Sequence, residues 1–61
     1  MTAKNLIKVL NDAGWYEIRQ KGSHKIFENK NSSQKIVVPY HQGEDLGTGL
    51  VHKILKQAGL K

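Results

Sequence analysis

Apolar residues near the start of the chain recur three and four apart, at Leu6, Ile7, Leu10 and Ala13, which is the spacing of one face of a helix. Thr2 stands where its hydroxyl can cap the first turn, while Lys4, Lys8, Asn11 and Asp12 fall on or toward the wet side. Gly14 supplies the left-handed residue that ends such a helix, with Trp15 placed to pack back on Leu10. The period then changes to two. Tyr16 and Ile18 alternate with Glu17 and Arg19 through Gln20, and Gly22 marks a tight reversal at the positive-φ position of a short hairpin loop. A second strand runs from about Ser23 to Glu28, and the polar stretch Asn29 to Gln34 connects it to Lys35–Tyr40, the strongest strand signal in the chain. Pro39 cannot donate to a ladder, so it belongs at a strand end or on an edge. After a glycine-punctuated, acidic link from Gln42 to Gly47, Thr48 is expected to cap a second helix with Leu50, Val51, Ile54, Leu55 and Ala58 as its buried stripe. Gly59 repeats the stop used at Gly14, and Leu60 follows where it can contact Leu55.

The order helix, three strands, helix predicts an α+β domain over residues 1–61. Its three-stranded antiparallel sheet carries both helices packed on one face, which leaves the other face or an edge open. Double-stranded-RNA-binding domains share this order of elements. Parity leaves one matter open: His24 and Ile26 share one face of the second strand, Ser23, Lys25 and Phe27 share the other, and each face carries an apolar residue.

Composition narrows the function. A chain of 61 residues buries a modest core, so a shallow site acting on a large substrate suits it better than a cofactor-binding cleft. Without cysteine there is no disulfide framework and no thiolate chemistry. No apolar run approaches a membrane span, and Met1 is not followed by a signal-like segment, so a cytoplasmic location is the default expectation. Ten Lys and Arg against five Asp and Glu give a net charge of +5, which points to anionic partners or, on the bland reading, to solubility alone. All but one of those cations are lysine, suited to phosphate contacts of variable geometry rather than bidentate reading of bases.

The chemistry concentrates in Gln20-Lys21-Gly22-Ser23-His24-Lys25-Ile26-Phe27. Histidine is the side chain that ordinarily exchanges a proton near neutral pH. Lys21 and Lys25 flank His24, and Arg19 precedes them, so a polyanion would be drawn toward that proton carrier. Lys35 is a further candidate for charge stabilisation. Arg19, the only arginine, can clamp a phosphate or pair internally with Glu17 or Glu28. Ser23 and His41 are auxiliary candidates; His41 at the end of the third strand can serve as a structural or RNA-contacting residue or as a second acid–base group. His52 reads as a surface or packing residue, and Lys53, Lys56 and Lys61 as a second phosphate track or a solvated helix face. Gly14, Gly22, Gly59, Trp15 and Phe27 read as structural. The three histidines match no compact metal-ligand spacing, so no metal or other cofactor is expected.

The words Arg19-Gln20-Lys21-Gly22-Ser23-His24, Phe27, Val38-Pro39-Tyr40-His41, Gly47-Thr48-Gly49-Leu50 and Ile54-Leu55-Lys56-Gln57-Ala58-Gly59 resemble the small HicA-type toxins, the mRNA-cleaving members of HicAB toxin–antitoxin pairs. The likeness covers essentially the whole chain, with Trp15 standing where phenylalanine is more usual. It implies a fold similar to a double-stranded-RNA-binding domain, an endoribonuclease activity with His24 as the catalytic residue, and neutralisation by a cognate HicB-type antitoxin that covers the active face. RNA carries its own nucleophile in the 2′-hydroxyl, so a histidine acting as general base or acid, with lysines beside it, is sufficient for cleavage without a metal. On this reading charge reversal at Lys21 and Lys25 weakens both RNA binding and antitoxin binding. Two other functions fit the residues: a non-catalytic RNA-binding module and a protein-binding domain without RNA activity.

Overall fold

A computed structural model describes all 61 residues. The elements follow in the order α1 (Ala3–Asp12), β1 (Tyr16–Lys21), β2 (His24–Glu28), β3 (Ile36–Pro39) and α2 (Thr48–Gln57). The strands form one antiparallel sheet in the order β1-β2-β3, so β2 is central and the other two are edges.

Helix α1 begins as its sequence predicts, with the Thr2 hydroxyl accepting from the Asn5 N–H at 3.2 Å. It ends at Gly14, whose φ of +93° turns the chain so that the Trp15 N–H reaches the Leu10 carbonyl at 2.9 Å. Any side chain at Gly14 would also crowd Asn29, whose Nδ2 would lie 3.3 Å from an added Cβ. That amide donates to the Ala13 carbonyl at 3.2 Å, tying the β2–β3 connection to the end of α1. Gly59 closes α2 in the same manner, at φ +76°, with the Leu60 N–H on the Leu55 carbonyl at 2.9 Å. The start of α2 differs from expectation. Gly47, extended at φ −62° and ψ 146°, holds the capping position and Thr48 is already helical, so its hydroxyl caps nothing.

The core joins Ala3, Leu6 and Leu10 of α1, Trp15, Phe27 of β2, Ile36 and Val38 of β3, and Ile54 of α2. Pairing of Phe27 with Ile36 and of Lys25 with Val38 aligns the bulkiest strand residues on one face, and both helices bury their apolar stripes against it. The other face has no layer over it. Val37, on that side, is 47% exposed, and every residue of β1 is exposed.

One expectation for β1 is corrected. Glu17 and Arg19 do not share a face, because the ladder with β2 slips between them: Glu17 lies opposite Phe27 and Arg19 opposite Ile26. Such a bulge inserts an extra residue, here Ile18, and reverses the facing of everything beyond it.

Candidate functional site

His24 opens β2, and the hairpin before it decides where it points. Only Gly22 and Ser23 separate β1 from β2. Gly22 has φ +59° and Ser23 a negative φ, the pattern of a II′ turn with glycine first. This tight loop sets Lys21 opposite His24, and the Gln20 side-chain amide braces it by donating to the Gly22 carbonyl at 3.0 Å. Phe27 is wholly buried, so alternation along β2 puts Lys25 on the helix side and His24, Ile26 and Glu28 on the open side.

Two rows of side chains therefore cross the open face. The first is Lys21, His24 and Pro39; the second is Arg19, Ile26 and Val37. Residues opposite one another in such a ladder stand about 5 Å apart, which brings Lys21 next to His24. Lys21 makes no ion pair. Arg19 makes none either, because Glu17 is taken by Lys25 and Glu28 by Lys35 at 3.6 Å. The sequence had left Arg19 between a phosphate clamp and an internal pair with one of those two acids; in the structure neither acid holds it.

Lys25 is the flanking lysine that the structure does not bring to His24. It projects to the covered side, where its ammonium lies 3.0 Å from Glu17 Oε1 and 4.9 Å from the centroid of the Tyr40 ring. Its side chain is only 18% exposed. The reason is strand parity: adjacent residues on β2 face opposite ways, however close they stand in sequence.

Of the auxiliary candidates, Ser23 lies beside His24 and its carbonyl accepts the Tyr40 N–H at 2.6 Å, which extends the β2–β3 pairing past the end of β3. His41 is exposed and lines a hollow with Thr2, Ala3, Lys4, Tyr40, Gln42 and Gly43. No hydrogen bond joins it to His24. His52 is exposed on α2, with the Lys61 ammonium 2.9 Å from its Nε2. His24 itself lines none of the four hollows on the surface. It stands on an open ledge, accessible to a polymer that lies across the sheet.

The sequence did not single out Tyr16 as a surface group. It is 46% exposed and lies opposite Glu28, on the same face as His24. The signal was present in the alternation of β1, but the facing of that strand depends on the bulge.

No helix is long and apolar enough to cross a membrane. No curated protein is similar enough in sequence to count as a match. The sequence profile described as the HicA toxin of bacterial toxin–antitoxin systems matches residues 3–60, from the first residue of α1 to the residue after Gly59. The match takes in both helices, all three strands and the hairpin that presents His24. The chain thus belongs to the HicA family, the toxin component of a bacterial toxin–antitoxin pair that implies a cognate antitoxin as partner.

Proposed function

We propose that the chain is an endoribonuclease that cleaves mRNA at the open sheet face, with His24 as its general acid–base group. The observation that carries this reading is the placement of His24: exposed, outside every hollow, and directly across the ladder from the unpaired Lys21. An RNA backbone laid over that row would set a sugar–phosphate unit against the imidazole, with Lys21 and Arg19 on its phosphates and Lys35 at the margin.

The chemistry asks little more of the protein. His24 takes the proton from a 2′-hydroxyl, the 2′-oxygen attacks the adjacent phosphorus, and the bond from phosphorus to the 5′-oxygen breaks. The leaving 5′-oxygen receives a proton, from the imidazolium or from water, and the products are a 2′,3′-cyclic phosphate and a free 5′-hydroxyl. Lys21 offsets the negative charge that gathers on the phosphoryl oxygens. Lys25, already paired with Glu17 on the far side, contributes to holding β1 against β2 rather than to the phosphate. A HicB-type antitoxin restrains the toxin by occupying the same face, where Lys21 and Arg19 are open to its acidic groups.

The test is incubation of antitoxin-free protein with a defined RNA in the presence of a chelator, beside the His24→Ala protein. Loss of general acid–base assistance lowers the cleavage rate by about 100- to 10,000-fold, with the melting temperature unchanged because His24 contributes nothing to the core. Cleavage by His24→Ala at the wild-type rate removes the proposal. RNA that binds both proteins and stays intact with both points instead to a non-catalytic RNA-binding module.

A further inference from the structure

The open sheet face carries more than His24 and its phosphate contacts, and its remaining groups have no structural employment. Tyr16 of β1 and Val37 of β3 are large side chains exposed there, on a protein that buries nine residues in all. Arg19 lies between Tyr16 and Lys21 with no carboxylate partner. The only acid on this face, Glu28, is paired with Lys35; Asp12, Glu44 and Asp45 lie on α1 and the β3–α2 link. A surface that combines cations, an exposed phenol ring, a free guanidinium and aliphatic groups is chemically complementary to nucleotides whose bases are unstacked, because both base faces and phosphates then find partners.

We infer that this face is a platform for about two or three unpaired nucleotides, with Tyr16 as the base-stacking residue that, beside the phosphate contact of Arg19, holds the strand in register with His24. The inference rests on the RNA substrate proposed above. Three physical points support it. Same-face rows along β2, at His24, Ile26 and Glu28, repeat every ~6.6 Å, close to the reach of one unstacked nucleotide at about twice the stacked rise of 3.4 Å. Arg19 stands in the row next to His24 and Tyr16 in the row beyond it, so one strand running along the sheet meets the imidazole, the guanidinium and the phenol in succession. Attack by the 2′-oxygen also requires that oxygen, the phosphorus and the 5′-oxygen to come into line. A regular duplex holds them out of line, whereas a strand splayed over side chains is free to adopt that geometry.

The element order shared with duplex-RNA binders makes a duplex the competing substrate, and the two are separable by binding alone. The His24→Ala protein is titrated with a short labelled single-stranded RNA and with the same RNA annealed to its complement. The single strand is expected to bind at least about tenfold more tightly. On this background Tyr16→Ala weakens single-strand binding by about tenfold, Tyr16→Phe restores it because the ring is kept, and Lys8→Ala, at an exposed position of α1 away from the open sheet face, leaves it within twofold. Equal or tighter duplex binding overturns the inference, as does Tyr16→Ala with unaltered affinity. Capture of an acidic peptide without any RNA binding also overturns it, in favour of a protein partner. The assay needs no turnover, so it is decided separately from the catalytic proposal: an RNA bound on Tyr16 but never cleaved sinks the nuclease and keeps the platform.

Discussion

The two faces of one small sheet obey different rules. On the covered face Phe27, Ile36 and Val38 meet Leu6, Leu10 and Ile54, and the one cation there, Lys25, is held by Glu17 and laid over Tyr40. On the open face Lys21 and Arg19 are unpaired, and Tyr16 and Val37 stay about half exposed. A side chain that satisfies its needs inside the fold has little left for a ligand. The contrast separates stability from function more cleanly than position in the sequence does, since Lys25 and His24 are neighbours in the chain and belong to opposite sides.

Substitutions that cross this divide should have opposite signatures. The largest effect is expected from Phe27→Ala, which removes a fully buried ring from the centre of the sheet and costs about 3–5 kcal/mol. In a chain this short that is much of the total stability, and chemical denaturation should show the midpoint collapsing or the fold lost. An intermediate effect is expected at Gly22. No atom lies within 4 Å of an added Cβ, so Gly22→Ala suffers only the positive-φ backbone, about 1–2 kcal/mol, read as a melting temperature lower by roughly 4–16 °C.

The smallest effect sharpens the comparison most. Lys25→Met should change stability by less than about 1 kcal/mol and leave the salt dependence of RNA binding as it was. Lys21→Met should reduce the slope of log affinity against log salt by about one unit. Equal slopes for the two variants would put both lysines on one surface and contradict the facing found here.

Much of the architecture was legible in the residues. Thr2, Gly14 and Gly59 act through their own backbone neighbours, so their roles as cap and stops are local, and Gly22 announces its turn for the same reason. What escaped was decided across strands. Whether Phe27 or Ile26 faces the core depends on which β3 residues stand opposite, and Ile36 and Val38 settle it by pairing with Phe27 and Lys25. The slip between Glu17 and Arg19 exists only in the β1–β2 ladder, so no reading of β1 by itself could place Arg19 with His24 or turn Glu17 toward Lys25. Thr48 misled because the motif of a capping hydroxyl before an apolar stripe fits two registers, and the chain uses the one that starts from Gly47.

The whole account turns on an imidazole at the edge of an uncovered sheet drawing a proton from the sugar of a strand lying over it. The most direct measurement replaces one RNA hydroxyl rather than one residue: the cleavage position in a defined single-stranded RNA is mapped, and the same RNA is remade with a 2′-deoxy sugar on the 5′ side of that bond. Retained binding, no cleavage at the altered position, and a 2′,3′-cyclic phosphate on the product of the unaltered RNA are the predicted results. Continued scission of the deoxy-substituted bond would contradict the account, because the nucleophile would then have come from somewhere other than the sugar.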